Sequence, residues 1–250
     1  MVTKKNNQIL GIPISIERPE FVLEQIIKGL TKRMDFVHVL SLNPENMVQS
    51  SKDPLFKKIV LEAKYTINDG VGVVLASRFI NNVFVPRLTG VDLMQNLIKE
   101  ASRESLRVLL IGGKPNLAER LADCYNQSYP ASQFKGIVGF KDVRAPSQME
   151  SKDALSIVAA MRPHLLFVAF GSPEQEKWIY ENRASLQGVT CIGVGGSFDF
   201  LVGDIARAPK LIRLLGFEWL FRLVNQPWRW RRQLRLWVFV WLVLKEKFNF

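Results

Sequence analysis

Six short apolar runs punctuate the chain: FVHVLSLN (36–43), YTIND (65–69), RVLLIGG (107–113), GIVGF (136–140), HLLFVAFG (164–171) and VTCIGVGG (189–196). Each has the length and β-rich composition of a strand. The segments between them behave differently. VDLMQNLIKEASRE (91–104), PNLAERLADCYNQ (115–127) and PSQMESKDALSIVAAMR (146–162) repeat apolar residues at helical spacing. The resulting β-α-β-α alternation predicts an α/β domain, a Rossmann-like parallel sheet flanked by helices on both faces.

In such sheets ligands bind beyond the carboxyl ends of the strands. Here those positions share a composition. Asp69-Gly70-Val71-Gly72, Ile111-Gly112-Gly113, Gly171-Ser172-Pro173 and Val194-Gly195-Gly196 each place glycine at a strand-to-helix turn. Backbone N–H groups and helix N-termini there can face an anion, and glycine also serves ordinary tight turns. There is no G-x-G-x-x-G with a suitably spaced acid and no GxxxxGK[ST], which argues against dinucleotide dehydrogenases and P-loop enzymes.

Five polar residues in or near these turns are candidates for chemistry. Asp69 ends a strand-like run, where its carboxylate would act as a general base or cap the next helix. Ser41 and Asn43 stand at the end of the first run, either entering the same crevice or capping a helix that begins near Pro44. Gln175 falls in the first turn of a helix announced by GSPEQE (171–176), at the mouth of the sheet or in solvent. Arg87, in the irregular PRLTGVD stretch (86–92), is placed to hold a phosphate or a sugar hydroxyl, or simply to sit on the surface. His38 and His164 lie inside strand-like runs and suit packing better than ligation. With no Asp-x-Asp, we infer neither a metal nor a cofactor.

Charge changes the picture at one end. Residues 1–206 carry 24 Lys/Arg against 21 Asp/Glu, whereas residues 207–250 carry 10 against 2 and hold five of the six tryptophans. This shift divides an α/β domain, 1–206, from a basic, Trp-rich helical appendage, 207–250. Within it, Trp237 to Leu244 is an uncharged run of eight residues, while a spanning helix needs about 20. Arginine, tryptophan and apolar side chains interleaved in this way describe a segment lying in the headgroup region of an anionic membrane. The same apolar residues would also serve to pack on the α/β domain or on a second copy, giving a homo-oligomer. An Arg/Trp surface for nucleic acid and a noncatalytic membrane scaffold are the competing readings. Cys124 and Cys191 are isolated, and the N-terminus lacks the apolar core of a signal peptide, both expected of a cytoplasmic protein.

As an ordered set, SLNPENM (41–47), INDGVGV (67–73), PRLTGVDLM (86–94), LIGG (110–113), GSPEQEKWI (171–179), GGSFDFLVGDIARAP (195–209) and LGFEWLFRL (215–223) resemble the WecG/TagA/CpsF family of bacterial glycosyltransferases. The resemblance covers most of the chain. It implies inverting transfer of a sugar from a UDP-sugar donor to a polyprenyl-diphosphate-linked saccharide at the inner face of the cell membrane. Such enzymes build teichoic acid linkage units, enterobacterial common antigen, or capsule and exopolysaccharide repeats. The sugar is N-acetylmannosamine, its uronic acid or glucose. By the same resemblance Asp69 matches the family's base, and Gln175 and Asn43 match active-site positions. Ser41 stands where many members have Thr. Arg87 matches an arginine near the donor, while Arg222, Arg229 and Arg232 match arginines of a C-terminal appendage that folds over the pocket. Gly112, Gly113, Gly171 and Gly195 are the glycines expected to line the donor site, and nucleic acid is not an expected partner.

Overall fold

The computed structural model describes residues 7–33, 35–227 and 230–248. An antiparallel pair, β1 (Gln8–Ile9) and β2 (Ile12–Pro13), leads into α1 (Pro19–Lys32), β3 (Val37–Leu42), α2 (Pro44–Lys52), α3 (Pro54–Glu62) and β4 (Tyr65–Asn68). Then follow α4 (Val71–Asn81), α5 (Gly90–Arg103), β5 (Arg107–Gly112), α6 (Leu117–Ser128), β6 (Gln133–Ile137), α7 (Gln148–Met161) and β7 (Leu165–Ala169). The last part contains α8 (Glu174–Glu181), β8 (Thr190–Gly193), α9 (Ser197–Leu201), α10 (Lys210–Leu214), α11 (Glu218–Asn225) and α12 (Trp230–Phe248).

Six strands form one parallel sheet in the order β4-β3-β8-β7-β5-β6. Alternation along each strand divides the core between the two faces, as a pleated strand requires. Val39, Val108, Leu110, Phe167 and Ile192 meet α1, α5 and α6 on one side. On the other, Leu40 and Leu42 pack with α2, α3 and α4, and Leu109, Ile111, Leu166 and Val168 pack with α7 and α8. The predicted parallel sheet and its helical cover are therefore present.

One strand lies elsewhere than expected. β6 runs from Gln133 to Ile137 rather than over 136–140, paired from Arg107↔Gln133 to Ile111↔Ile137. As an edge strand it is bonded only to β5, and its QFKGI sequence exposes Gln133 and Lys135, so its apolar content does not mark it. Its register is held by packing: a Cβ at Gly136 would lie 2.2 Å from the Ala118 backbone of α6.

At the carboxyl edge, α2 and α4 begin almost in contact. A Cβ on Gly70 would stand 2.6 Å from Pro44 Cδ, and one on Gly72 2.7 Å from Pro44 Cγ. The two glycines after Asp69 thus allow a close approach of two helix starts rather than only a turn. The appendage closes over this junction. α12 packs on α2 and α4, burying Phe239 and Val243, and Glu246 Oε2 accepts the Leu10 N–H at 2.9 Å. α11 ends at Asn225 and α12 starts at Trp230, so the helix is interrupted around Pro227. Among the described residues no helix is long and apolar enough to cross a membrane.

Candidate active site

The turn after β4 is pinned to the end of β3, because Asp69 N–H donates to the Leu42 carbonyl at 2.9 Å. The Asp69 side chain does not cap α4, whose N-cap is Gly70 with no side-chain bond. It accepts instead from the N–H of Gly90, the first residue of α5. An ideal Cβ on Gly90 would lie 3.8 Å from Asp69 Oδ2 and 3.4 Å from Ser41 Oγ, so these two side chains converge on one point of backbone. Asn43 does cap its helix: Oδ1 accepts from Asn46 N–H at 2.9 Å. That bond fixes the Asn43 side chain beside the start of α4, where its Cβ would be 3.3 Å from a Cβ at Gly70.

The electrostatics single out Asp69. Loss of water around the carboxyl raises its pKa to about 6, against the attraction of Arg87 and Arg222, with Glu218 adding to the rise. The residue as a whole is half-buried, so the group is deeply set without being sealed off.

Arg87 ties Asp69 to the appendage. Its Nε donates to the Asp69 carbonyl at 2.8 Å, its Nη1 to the Arg213 carbonyl at 2.9 Å, and its Nη2 lies 3.6 Å from Glu218 Oε2. Glu218 also faces Arg207 Nε at 4.0 Å, while Arg207 Nη2 bonds Asp92 Oδ1 at 2.7 Å and Thr89 Oγ1 at 3.3 Å. Beside this latch the α10–α11 turn presses on the start of α4, since a Cβ on Gly216 would meet Val71 Cγ2 at 2.6 Å. Arg222 stacks on Phe200 at 4.1 Å, and its Nη2 would lie 3.9 Å from a Cβ on Gly196. It therefore stands between the β8 turn and Asp69. Arg229 lies outside the described residues, as does the side chain of Arg232.

The glycine turns are not equivalent. Gly112 and Gly113 have positive φ and are walled by Phe170, Leu117 and Phe198, and Gly113 N–H is spent on the Ala169 carbonyl. Gly195 N–H is likewise taken, by Gln175 Oε1 at 3.0 Å. These two amides are not the open anion donors that the strand-end pattern led us to expect. No atom crowds the Cβ position of Gly171 or Gly195, whose surroundings stay open. Gln175 is not solvated: it is buried, its Nε2 donates to Glu176 Oε1 at 2.7 Å, and it fills the space a Cβ at Gly193 would need, 2.4 Å away. His38 is buried, and His164 Nδ1 accepts the Arg107 N–H at 3.0 Å, so both pack as expected. Two cavities of about 660 and 750 Å³ lie away from this edge, around Arg107 and Met161 and around Leu155 and Trp178. Neither is lined by any of the candidate residues at the carboxyl ends of the strands.

Sequence reasoning missed Glu176, Arg207 and Glu218. The GSPEQE segment marked Glu176 as a charge in a first helical turn, which is normally solvated. Arg207 and Glu218 pair over separations that no local pattern reveals.

A deeply set carboxyl flanked by arginines at the carboxyl edge of a parallel sheet suits transfer chemistry that releases an anion. Comparison with known proteins agrees: the model of the glycosyl transferase WecG/TagA/CpsF family matches residues 7–250, and the chain belongs to that family. Among its relatives is the N-acetylglucosaminyldiphosphoundecaprenol N-acetyl-beta-D-mannosaminyltransferase of Bacillus subtilis (strain 168), 32% identical over 84% of this chain and 80% of that protein. The protein of the same name from Staphylococcus aureus (strain MW2) is 27% identical, again over 84% and 80%.

Proposed function

We propose that the chain transfers N-acetylmannosamine, or a close analogue, from a UDP-sugar to a polyprenyl-diphosphate-linked saccharide, with inversion at the anomeric carbon. The relatives' names supply the sugar and the lipid-linked acceptor. The observation that carries the chemistry is Asp69, a carboxyl with pKa about 6 under the opposing pull of Arg87 and Arg222. At pH 7 roughly nine-tenths of such a group is ionised, yet it holds a proton about a hundredfold better than an ordinary aspartate. It takes the proton of the acceptor hydroxyl as that oxygen attacks the anomeric carbon on the face opposite UDP. Ser41 and Asn43 border the same spot, and Gln175 fixes the β8 turn behind it.

The departing diphosphate gathers negative charge. Arg222, with Arg229 and Arg232 from the same segment, neutralises it in a site where the appendage excludes water. Residues 1–206 thus hold the chemistry and residues 207–250 complete it. The appendage also meets lipid. Trp230, Leu234, Trp237, Trp241, Leu244 and Phe248 recur at alternating spacings of four and three along α12, and all are exposed while Phe239 and Val243 are buried. One face of the helix packs on the protein and the other offers a Trp-rich stripe, with Lys245 beside Trp241 at 5.4 Å, to the headgroup region of the inner face.

The test is UDP release from a panel of UDP-sugars with purified protein and a short-chain polyprenyl-diphosphate N-acetylglucosamine. Release with UDP-N-acetylmannosamine that depends on the acceptor is expected. Absence of acceptor-dependent release with every donor contradicts the reading.

A further inference from the structure

Packed against the end of β8 lies a second carboxyl that the transfer chemistry does not use. Glu176 is 1% exposed, and among the described residues it forms no ion pair. Its Oε1 accepts from Gln175 Nε2 at 2.7 Å, and Gln175 Oε1 in turn accepts from Gly195 N–H at 3.0 Å. Its Oε2 makes no hydrogen bond, although Ser172 lies near enough to influence the proton affinity of the carboxyl. Ser172 Oγ donates to Asn46 Oδ1 at 2.8 Å, and Asn46 Nδ2 donates to the Ser41 carbonyl at 2.7 Å. Asn46 N–H is the group capped by Asn43.

The donors in this chain all point one way. Gly195 gives to Gln175, Gln175 to Glu176, Ser172 to Asn46, and Asn46 to Ser41. The missing link is a donor from Glu176 to Ser172, and a carboxylic acid with its proton on Oε2 supplies it. A buried carboxylate would leave that oxygen charged and unsatisfied, which is far more costly.

We propose that Glu176 works as a neutral carboxylic acid, a positioning residue whose O–H donates to Ser172 and so joins the Gly195 turn to the Ser41–Asn43 turn. The inference deepens the proposed transferase reading and rests on it only for its kinetic readout. Burial, with Glu174 adding to it, raises the Glu176 pKa to about 7, while the bond from Gln175 and the nearby Ser172 hydroxyl oppose the rise. The elements packed against α8 bring little other charge to it. On α3, Glu62 bonds the Tyr180 hydroxyl, and ahead of α3 Asp53 pairs with Lys177. On β3 and β8, His38 and Cys191 are held neutral by burial. Gly193 is the local reason this arrangement exists: any side chain there would collide with Gln175 and with Glu176 Oε1, 2.4 and 2.8 Å away.

Glu176→Gln tests the idea because an amide keeps one acceptor for Gln175 and one donor for Ser172. We expect E176Q to retain kcat within about threefold near pH 7. Wild type should lose kcat about tenfold between about pH 7 and about pH 8.5 as the proton leaves Glu176. E176Q should keep its rate across that range, and Glu176→Ala should lose kcat at every pH with KM for the donor little changed. A hundredfold loss in folded E176Q would overturn the proposal, since it would mean that the charged form is required. Infrared spectra of the Asp69→Asn protein provide a measurement independent of turnover. A carboxylic-acid C=O band that disappears as pH rises through about 7 is expected; its absence at about pH 6 would also overturn the proposal. Wild type that releases no UDP would refute the transferase reading and leave the infrared result to decide Glu176.

Discussion

Two carboxyls at the carboxyl edge of the sheet, Asp69 and Glu176, meet burial in different ways. Asp69 sits beside Arg87 and Arg222, whereas Glu176 lies among Gln175, Ser172 and the Gly193 backbone. Burial raises both pKa values, to about 6 and about 7. The surroundings decide what each can do. Arginines favour the ionised form of Asp69, as the proposed base requires, while neutral partners and Glu174 leave Glu176 on the edge of protonation. Desolvation alone does not make a catalytic group; the charges that counter it assign the role.

The sharpest way to break the contrast is Asp69→Asn, which keeps the shape and removes the proposed base. Turnover should fall by about 10²–10⁴-fold while UDP binding measured by calorimetry stays near wild type. Unchanged turnover would remove Asp69 from that role. Next is Arg222→Ala, which removes a cation from the crevice but leaves the Arg87–Glu218–Arg207 latch in place. A loss of roughly a hundredfold in kcat is expected, with smaller change in acceptor KM. A uniform rise in KM with kcat intact would instead make Arg222 a binding group only.

A smaller effect separates chemistry from attachment. Trp237 and Trp241 are 74% and 55% exposed, so replacing both with Glu should leave the fold and the crevice intact. Sedimentation with anionic vesicles should weaken by roughly tenfold or more, while transfer to a short, water-soluble acceptor should hold. Equal loss in both assays would mean that this stripe supports the crevice rather than the membrane contact.

Most of the sheet could be read from the chain because β3, β4, β5, β7 and β8 are apolar runs bounded by glycine or polar turns. The edge strand β6 escaped because two of its five residues are exposed and nothing apolar marks its start at Gln133. The same distinction holds at the site. Asp69 and Asn43 could be found because a strand end followed by Gly or Pro places them at the crevice. The cap made by Asn43 was open to local reading, and the absence of one from Asp69 was not, because its partner Gly90 is far along the chain. Glu176 could not be recognised as buried: its concealment depends on Gly193, on a different strand, leaving room for it. Glu218 and Arg207 escaped for a related reason, since their meeting with Arg87 depends on how the appendage folds back.

The measurement that bears most directly on the division of labour between the two carboxyls is the pH dependence of kcat/KM, for wild type and Glu218→Gln. Asp69 must be ionised to accept a proton, and its pKa is raised by burial, so activity should drop about tenfold per pH unit below about 6. Glu218 contributes to that rise, so its removal should move the acid limb to lower pH. A wild-type rate that stays level down to about pH 4.5, where an ordinary aspartate is still ionised, would contradict a base built by desolvation at Asp69.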